Sequence, residues 1–245
     1  MAGIQFTVGM GQTLVEGGHV DANLVRAEAM IGQAAEADCD VVVLPECLDI
    51  GWTFPDAPAL AETIPGPNSD RLCAAAQKHN LHVVAGLTER AGDRIYNAAI
   101  LISPAGEILL KHRKVNILTI AQDIYAIGNT LGVAETPFGT IGVDICADNF
   151  PSCLALGHSL GRMGAQIILS PCAWAVDADH DNVKKPYGYL WRDSYSELAG
   201  GEVLAEGPYG EAAEALTVVS VETVRPQAKG TAIAKMLEAR DYTGP

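Results

Sequence analysis

The first part of the chain alternates short apolar runs with a longer amphipathic segment. Residues 3–9 predict a strand, residues 21–37 predict a helix with Leu24 and Ile31 on its buried face, and residues 40–44 predict a continuous apolar strand. A strand, a helix and a second strand in this order predict a parallel pair with a right-handed crossover. The chain therefore opens as an α/β protein.

The pattern then changes from alternating units to neighbouring strands. A helix is predicted at residues 68–80, followed by three strands at residues 81–88, 94–103 and 107–111. The turn between the last two strands, Ser-Pro-Ala-Gly at residues 103–106, carries the proline and glycine that tight turns favour. Strands joined by such turns pair antiparallel, so we predict a mixed sheet.

The second half of the chain returns to alternating elements. Strands are predicted at residues 135–138, 140–146, 166–170, 201–205 and 216–221, and helices at residues 151–163 and 185–199. We predict one domain over residues 1–222, since α/β domains of this length are common. The remaining residues 223–245 read as a short helix and an arm that packs at a subunit interface.

Composition narrows the class of partner. The chain has 245 residues, is 49% hydrophobic and carries a formal net charge of -14. It has no run of lysine or arginine, so nucleic acid and anionic membranes are poor partners. No apolar run approaches the ~20 residues that a membrane helix needs. The apolar fraction instead indicates strands that are covered on both faces.

The cysteines indicate a reducing compartment. Six cysteines are scattered without paired spacing, and the sequence enters a strand directly instead of a signal peptide. We therefore expect free thiols and a cytoplasmic location. No CxxC pair or cluster of histidine and cysteine suggests a metal. We expect His112 and His158 to be ordinary surface or capping histidines.

One cysteine occupies a position that is typical of a nucleophile. Residues 140–145 read as a buried strand and residues 149–152 as a helix start, so Cys146 lies where a strand passes into a helix. The turn lifts the side chain out of the sheet, and the free N–H groups of the helix lower the pKa of a thiol. A buried core thiol is the common alternative, and both remain open on this stretch alone. Cys153 and Cys172 are expected to be packing residues.

Other reactive side chains follow neighbouring strand ends. Glu46 follows the strand at residues 40–44, Lys114 follows the second hairpin strand, and residues 171–174 follow the strand at residues 166–170. Ligands of open α/β sheets bind outside the carboxyl ends of the strands. A thiol, a carboxylate and a lysine at such an edge are suited to acyl transfer, as nucleophile, proton carrier and oxyanion stabiliser.

Three short motifs contain these reactive residues. They are Val-Val-Val-Leu-Pro-Glu at residues 41–46, His-Arg-Lys at residues 112–114 and Gly-Val-Asp-Ile-Cys-Ala-Asp-Asn-Phe-Pro at residues 142–151. In sequence, order and spacing, over roughly residues 3–198, they resemble the motifs of the nitrilase superfamily, the carbon–nitrogen hydrolases. The resemblance implies an α/β fold, a four-layer α-β-β-α sandwich with mixed sheets, that forms a homodimer or a higher homo-oligomer.

The resemblance also implies roles for single residues, in a hydrolase without cofactor or metal. Glu46 is the general base, Lys114 stabilises the oxyanion, Cys146 is the nucleophile, and the backbone N–H of Ala147 is the second oxyanion donor. We expect water to hydrolyse a small amide or ureido compound through a thioester at Cys146. Nitrile hydrolysis, acyl transfer to an amine and a catalytically impaired scaffold protein on the same fold are the alternatives.

Loops at the same edge of the sheet are predicted to form the pocket. The candidate pocket residues are Trp52, Asp123, Tyr125, Asp148, Asn149 and Trp174. Trp52 belongs to residues 49–67, a long proline-rich segment of the kind that builds pocket walls. Asp123 stands near the place where many family members have a second glutamate, while Asp148 and Asn149 are expected mainly to brace the turn.

The chain departs from the family pattern between residues 199 and 200. Family members have two further strands and a loop there. A genuine deletion and a disordered loop missing from the recorded sequence both explain the difference. We favour the second, because loss of interior strands exposes backbone groups that must be paired. An intact mass equal to 25.7 kDa would exclude omitted residues.

Overall fold

A computed structural model describes residues 3–174, 180–181, 183–186, 188, 191–195, 203–208 and 214–223. The strands are β1 (Ile4–Gln12), β2 (Val41–Val43), β3 (His82–Ala91), β4 (Arg94–Ile102), β5 (Ile108–Arg113), β6 (Val133–Thr136), β7 (Gly139–Val143), β8 (Ile167–Leu169) and β9 (Ala215–Thr223). The α-helices are α1 (Val20–Glu36), α2 (Ala57–Leu60), α3 (Pro67–His79) and α4 (Leu154–Arg162). Residues 191–195 are also helical, within the helix predicted at residues 185–199.

These strands form two mixed sheets. In the larger sheet the order is β5-β4-β3-β2-β1-β9, in which β1, β2 and β3 are parallel and the other neighbours are antiparallel. In the smaller sheet β7 lies between β6, which is antiparallel to it, and β8, which is parallel. The parallel opening, the antiparallel hairpins and the mixed sheet that the sequence predicts are confirmed.

The two-residue period of the strands explains how both faces of the larger sheet are buried. Val42 and Val83 belong to a core that this sheet shares with α1 and α3. Their neighbours Val41 and Val84 point to the opposite face and belong to a second core, which includes Ile141 of the smaller sheet. Each fully buried valine or isoleucine side chain stabilises the fold by ~1.5–3 kcal/mol relative to an exposed one.

Helix α4 covers the outer face of the smaller sheet. Leu160 is fully buried there, and a Cβ atom on Gly142 of β7 would lie 3.2 Å from the Leu160 side chain. The glycine therefore lets the helix approach the strand closely. The layers follow in the order helix, sheet, sheet, helix, which confirms the four-layer sandwich.

Several element boundaries differ from the sequence prediction. The strand predicted at residues 140–146 ends at Val143, because the chain turns into a 3-10 helix at Cys146–Asn149. The helix predicted at residues 151–163 begins with a 3-10 turn, and α4 starts at Leu154. Residues 203–208 form no strand, so the strand predicted at residues 201–205 is wrong over its described part. Val203 is 48% exposed and Leu204 is 62% exposed, so a strand there would gain little from burial.

Other predictions fall partly or wholly outside the described residues. The predicted helix and arm at residues 223–245 lie outside them from residue 224 onward. The domain boundary after residue 222 and the gap after residue 199 therefore stay predictions. Across the described ranges, no helix is long and apolar enough to cross a membrane.

Candidate active site

Glu46 follows β2 in a segment that is held against β3. The Leu44 N–H donates to Val84 O at 2.8 Å, and the Gly86 N–H donates to Pro45 O at 3.0 Å. A Cβ atom on Gly86 would lie 2.5 Å from the Cα atom of Glu46, so this close approach requires glycine. Backbone contacts from the neighbouring strand therefore fix the position of Glu46.

Three N–H donors converge on the buried carboxylate of Glu46. Lys114 Nζ donates to Oε1 at 2.5 Å, and Asn97 Nδ2 donates to the same oxygen at 2.6 Å. The backbone N–H of Ala173 donates to Oε2 at 2.9 Å. Glu46 and Lys114 are each 1% exposed. These bonds, one of them from a cation, compensate the carboxylate for its lost hydration.

Lys114 follows β5 and keeps its positive charge in the interior. Its N–H donates to Asn97 O at 2.8 Å, and its carbonyl accepts from the Gly128 N–H at 2.8 Å. Burial lowers the pKa of Lys114, but electrostatic attraction to Glu46 and then to Cys146 outweighs burial, so the pKa lies above 10.5. Lys114 is therefore a fixed positive charge and not a base.

Cys146 lies at the sharp turn from β7 into the 3-10 helix. Its φ angle is 46°, a left-handed conformation that residues other than glycine rarely adopt. The Cys146 N–H donates to Pro171 O at 3.0 Å and to Ser170 Oγ at 3.1 Å, which holds the turn against the end of β8. The Ala147 N–H donates to no other described residue, so it is available as a donor.

The carboxylate and two thiols form one cluster. A Glu46 carboxylate oxygen, Cys146 Sγ and Cys172 Sγ lie within 4.8 Å of one another. Cys146 is 5% exposed, and the Cys172 thiol donates to its sulfur at 3.4 Å. The structure therefore brings together Glu46, Lys114 and Cys146, the three residues that the sequence assigns to catalysis. Lys114 is joined to the cluster through its bond to Glu46.

Asp148 connects the segment after Lys114 to the turn at Cys146. Its Oδ1 accepts from the backbone N–H groups of Val115 at 3.1 Å and Asn116 at 2.7 Å. Its Oδ2 accepts from the Ile145 N–H at 3.1 Å and lies 2.9 Å from His112 Nε2.

His112 differs from the sequence prediction. It is 1% exposed and bonds to a carboxylate, Asp148, that is 0% exposed. The prediction of a surface or capping histidine is therefore wrong. The imidazole is buried because it supplies a partner to the buried carboxylate.

Asn149 holds the turn from its other side. Its Nδ2 donates to Asp144 Oδ1 at 2.7 Å and to Ser170 Oγ at 2.9 Å. Burial raises the pKa of Asp144 to about 6, although hydrogen bonds from Ser170 and Asn149 act in the opposite direction. These contacts tie the ends of β7 and β8 together.

A cavity of about 630 Å³ reaches Glu46 and Cys172. Trp52 and Trp174, two of the predicted pocket residues, line this cavity, and Phe54 adds a third aromatic wall. The aromatic side chains give the cavity apolar walls close to the carboxylate and the thiols. Such a cavity suits a small organic molecule.

The four other pocket candidates do not line this cavity. Asp123 is exposed, so it does not take the place of a second glutamate beside Lys114. Tyr125 is 2% exposed and accepts a hydrogen bond from Cys47 Sγ at 3.7 Å. Asp148 and Asn149 are 0% and 2% exposed, because they bond to the backbone and side chains around the turn.

Sequence reasoning missed three neighbours of the cluster. Asn97 is a polar residue inside the apolar strand β4. A buried amide needs a hydrogen-bond partner, so this pattern could have predicted that Asn97 bonds to a buried polar group such as Glu46. Cys172 directly follows a strand end that was already assigned to the candidate site, which was a weaker signal. The Ser170 contacts depend on how two strand ends pack, and no local pattern reveals them.

Comparison with known proteins agrees with the motifs. The family model described as carbon-nitrogen hydrolase matches residues 7–193, which is more than half of the chain. The chain belongs to the carbon–nitrogen hydrolase family. The match includes all three motifs and strands of both sheets, so the resemblance inferred from the sequence is confirmed.

Relatives of this carbon–nitrogen hydrolase include an amidase and a nitrilase. Omega-amidase NIT2 of Xenopus tropicalis is 31% identical over 162 residues, a match that covers 62% of this chain and 58% of the relative. Nitrilase 3 of Arabidopsis thaliana is 34% identical over 149 residues, which covers 52% of this chain and 43% of the relative. The chain therefore spans little more than half of the first relative's length.

Two solved structures show the same fold. An amidase from Nesterenkonia sp. superposes with a TM-score of 0.75 at 18% identity, covering 96% of this chain and 97% of that chain. Nit3 of Saccharomyces cerevisiae, a member of the nitrilase superfamily, superposes with a TM-score of 0.71 at 23% identity, covering 99% and 97%. These likenesses concern the fold of the carbon–nitrogen hydrolase.

Proposed function

We propose that this carbon–nitrogen hydrolase cleaves the amide bond of a small, neutral carboxamide and releases ammonia or an amine. The main support is the position of Glu46, whose carboxylate binds Lys114 and lies within 4.8 Å of the Cys146 sulfur. Hydrolysis through a covalent intermediate requires a nucleophile, a proton carrier and a fixed positive charge for the oxyanion. Cys146, Glu46 and Lys114 provide these three groups.

In the first half-reaction Cys146 is the nucleophile. Its sulfur attacks the amide carbon, a C–S bond forms, and the π electrons of the carbonyl move to oxygen. Lys114 Nζ and the Ala147 N–H stabilise this oxyanion. The carbonyl then re-forms, the C–N bond breaks, and the nitrogen leaves with the proton that Glu46 has taken from the thiol. A thioester at Cys146 remains.

In the second half-reaction water replaces the nitrogen. Glu46 removes a proton from water, which attacks the thioester carbon. The C–S bond then breaks, the carboxylic acid leaves, and the sulfur recovers a proton from Glu46. Among the described residues, Oε2 of Glu46 accepts one hydrogen bond, from Ala173, so this oxygen keeps a lone pair for the proton transfers.

The cavity lining supports an uncharged substrate. Trp52, Phe54 and Trp174 provide apolar walls, and no described lining residue is lysine, arginine or histidine. Lys114, the nearby cation, is already bonded to Glu46. A substrate carboxylate in this cavity would lose hydration without gaining a positive partner, which disfavours its binding.

Ammonia release from amides tests the nucleophile. Cys146→Ala is expected to lower kcat/KM by roughly 10⁴-fold or more, because removal of a nucleophile removes covalent catalysis. Its circular dichroism is expected to match the wild type. Cys73→Ala, a change on α3 away from the cluster, is the control and is expected to keep wild-type activity. Near wild-type hydrolysis by Cys146→Ala would contradict the proposal.

Two amides of similar length test the substrate class. Butyramide is expected to have a higher kcat/KM than succinamate, which carries a carboxylate at the far end. The reverse order would contradict the inference of a neutral substrate, while it would leave the role of Cys146 intact.

Nitrile hydrolysis is a second candidate, supported by the 34% identity to nitrilase 3 of Arabidopsis thaliana. The same attack by Cys146 on a nitrile carbon gives a thioimidate; water adds to its carbon, the C–N bond breaks, ammonia leaves, and the thioester remains. We favour the amide, because the relatives also include an omega-amidase and the structural neighbours an amidase. Butyronitrile and butyramide assayed side by side decide between the two activities.

We also propose that residues 1–222 form one hydrolase domain. A further proposal is that two copies of the chain associate near the candidate site. Large apolar side chains are exposed on two segments, with Ile120 72% and Ile127 62% exposed after Lys114 and Met163 46% exposed at the end of α4. A subunit contact over these side chains would remove them from water. Light scattering is expected to give a mass at least twice 25.7 kDa, and a monomer at micromolar concentration would contradict the association.

A further inference from the structure

The thiol of Cys172 lies beside the candidate nucleophile. The two sulfur atoms are 3.4 Å apart, and the Cys172 thiol is the hydrogen-bond donor to Cys146. Cys172 also lines the cavity, whereas Cys146 is 5% exposed. A small molecule that enters the cavity therefore reaches the pair from the Cys172 side. The mechanism proposed above uses Cys146 and gives Cys172 no chemical task.

The strand register places these two cysteines side by side. In the parallel pair β7 and β8, Val143 lies opposite Leu169, an offset of 26 residues. The same offset separates Cys146 from Cys172. Beyond the ends of both strands, the Cys146 N–H donates to Pro171 O at 3.0 Å, which keeps the two segments in contact at this position.

The two thiols are already in contact, which a disulfide between them requires. To form the bond, the sulfur atoms must approach from 3.4 Å to a bond length of about 2.05 Å.

The proton and charge distribution sets the order of oxidation. Its hydrogen bond to Cys146, and then burial, raise the pKa of Cys172 well above the ordinary value, so this thiol stays protonated. Cys146 instead accepts that hydrogen bond, and its sulfur lies within 4.8 Å of a Glu46 carboxylate oxygen, the proton acceptor in the proposed hydrolysis. Peroxides react with the thiolate and not with the thiol. Cys146 is therefore the sulfur that an oxidant attacks first.

A divalent metal is the main rival for the same cluster, since Glu46, Cys146 and Cys172 converge within 4.8 Å. The carboxylate, however, already accepts three N–H groups, including the Lys114 ammonium at 2.5 Å. A second cation there would be repelled by Lys114 and would have to displace its bond. The arrangement favours bond formation between the sulfurs over a metal.

We propose that Cys146 and Cys172 form a reversible disulfide when the protein meets a peroxide. Cys146 sulfur attacks one oxygen of hydrogen peroxide, an S–O bond forms, the O–O bond breaks, and the departing hydroxide takes the proton of the Cys146 thiol and leaves as water. Cys172 sulfur then attacks the sulfenic sulfur, an S–S bond forms, the S–O bond breaks, and a second water leaves with the Cys172 proton. Two thiols and one peroxide give one disulfide and two waters.

The disulfide has two consequences for the protein. It blocks Cys146, so hydrolysis stops, a consequence that rests on the proposed function. It also removes the sulfenic acid before a second peroxide converts it to sulfinic acid, which is not reduced by thiols. Cys172 thus protects Cys146 from irreversible oxidation.

Mass spectrometry of the full chain tests the disulfide without any substrate. The reduced, chelator-treated wild type is exposed to hydrogen peroxide, alkylated and digested with trypsin. We expect a loss of 2 Da, two fewer alkylated thiols, and a cross-link between peptides 115–162 and 163–184 that dithiothreitol releases. Because Cys153 shares the first peptide, Cys153→Ala is the matched control and is expected to give the same cross-link.

Replacement of the second thiol provides the decisive comparison. In Cys172→Ala we expect a gain of 32 Da or more on peptide 115–162 that dithiothreitol does not reverse, and Cys172→Ser is expected to behave alike. After peroxide treatment, the activity of the wild type is expected to fall more than tenfold and to recover when dithiothreitol is added. The activity that Cys172→Ala loses to peroxide is not expected to recover. Irreversible oxidation of wild type without a cross-link would overturn the proposal. A metal site would also overturn the proposal. Its signature would be that the wild type binds one equivalent of added zinc and forms no cross-link, while Cys172→Ala binds no zinc.

Discussion

Replacement of Lys114 by methionine is expected to destabilise the protein and to inactivate it. The Lys114 and Glu46 side chains are 2% and 0% exposed, and their charged atoms are 2.5 Å apart. Removal of one partner of a buried ion pair costs roughly 3–5 kcal/mol, because the other charge stays buried. Glu46 keeps its bonds from Asn97 and Ala173, so we expect a value near the lower end, about 3 kcal/mol.

A second variant separates the lost attraction from the charge that is left behind. Glu46→Gln combined with Lys114→Met removes both charges, and replacement of a whole buried pair by neutral groups is often nearly neutral. The double variant is therefore expected to be about 2 kcal/mol more stable than Lys114→Met alone. Both variants are expected to be inactive, since each lacks Lys114 as an oxyanion stabiliser.

Urea unfolding followed by circular dichroism measures these free energies. The matched control is Lys184→Met, because the Lys184 side chain is 86% exposed and pairs with Asp181 at 3.1 Å on the surface. Such a surface pair contributes less than about 1 kcal/mol. If Lys114→Met unfolds within about 1 kcal/mol of the wild type, or if the double variant is no more stable than the single one, the reasoning from a buried ion pair fails.

Burial raises the pKa of Asp49 to about 6. Above about pH 4 the folded state therefore keeps a proton that the unfolded state releases. The free energy of unfolding falls as the pH rises towards 6. The stability of wild type relative to Asp49→Asn is expected to fall by up to about 3 kcal/mol between pH 4 and pH 7, and a constant difference in urea unfolding would contradict this. Gly86→Ala is expected to lower activity and melting temperature, because the new Cβ would lie 2.5 Å from the Cα atom of Glu46. Gly161→Ala on α4 meets nothing within 4 Å and is expected to stabilise by about 0.5–1 kcal/mol, so equal melting shifts for the two variants would refute the steric argument.

The parts of the fold that depend on local pattern were predictable from the sequence. The helix at residues 21–37 and the strand at residues 216–221 match α1 and β9 closely, because their apolar periods are regular. That β9 lies beside β1 at the edge of the larger sheet was not predictable, since this pairing joins distant parts of the chain. Residues 203–205 were misread as a strand because a short apolar run does not reveal whether it is buried.

The candidate site was predictable where its residues follow strand ends. Glu46, Lys114 and Cys146 each do so, and their motifs supplied the grouping before any geometry was available. His112 was misjudged because its burial depends on Asp148, a partner that is 36 residues away. The exposed position of Asp123 likewise follows from the path of an irregular loop, for which sequence patterns give no rule.

The hydrogen bonds of Asp148 fix the position of the Lys114 segment relative to the Cys146 turn, whereas the cavity walls are not held by them. One carboxylate sets the spacing between the Lys114 segment and the Cys146 turn, so a shift in either one is transmitted to the other. The cavity walls at residues 12–15 and 53–55 lie on other segments and take no part in these bonds. New side chains introduced in those walls can therefore change which molecules fit, while the distances among carboxylate, ammonium and sulfur are retained.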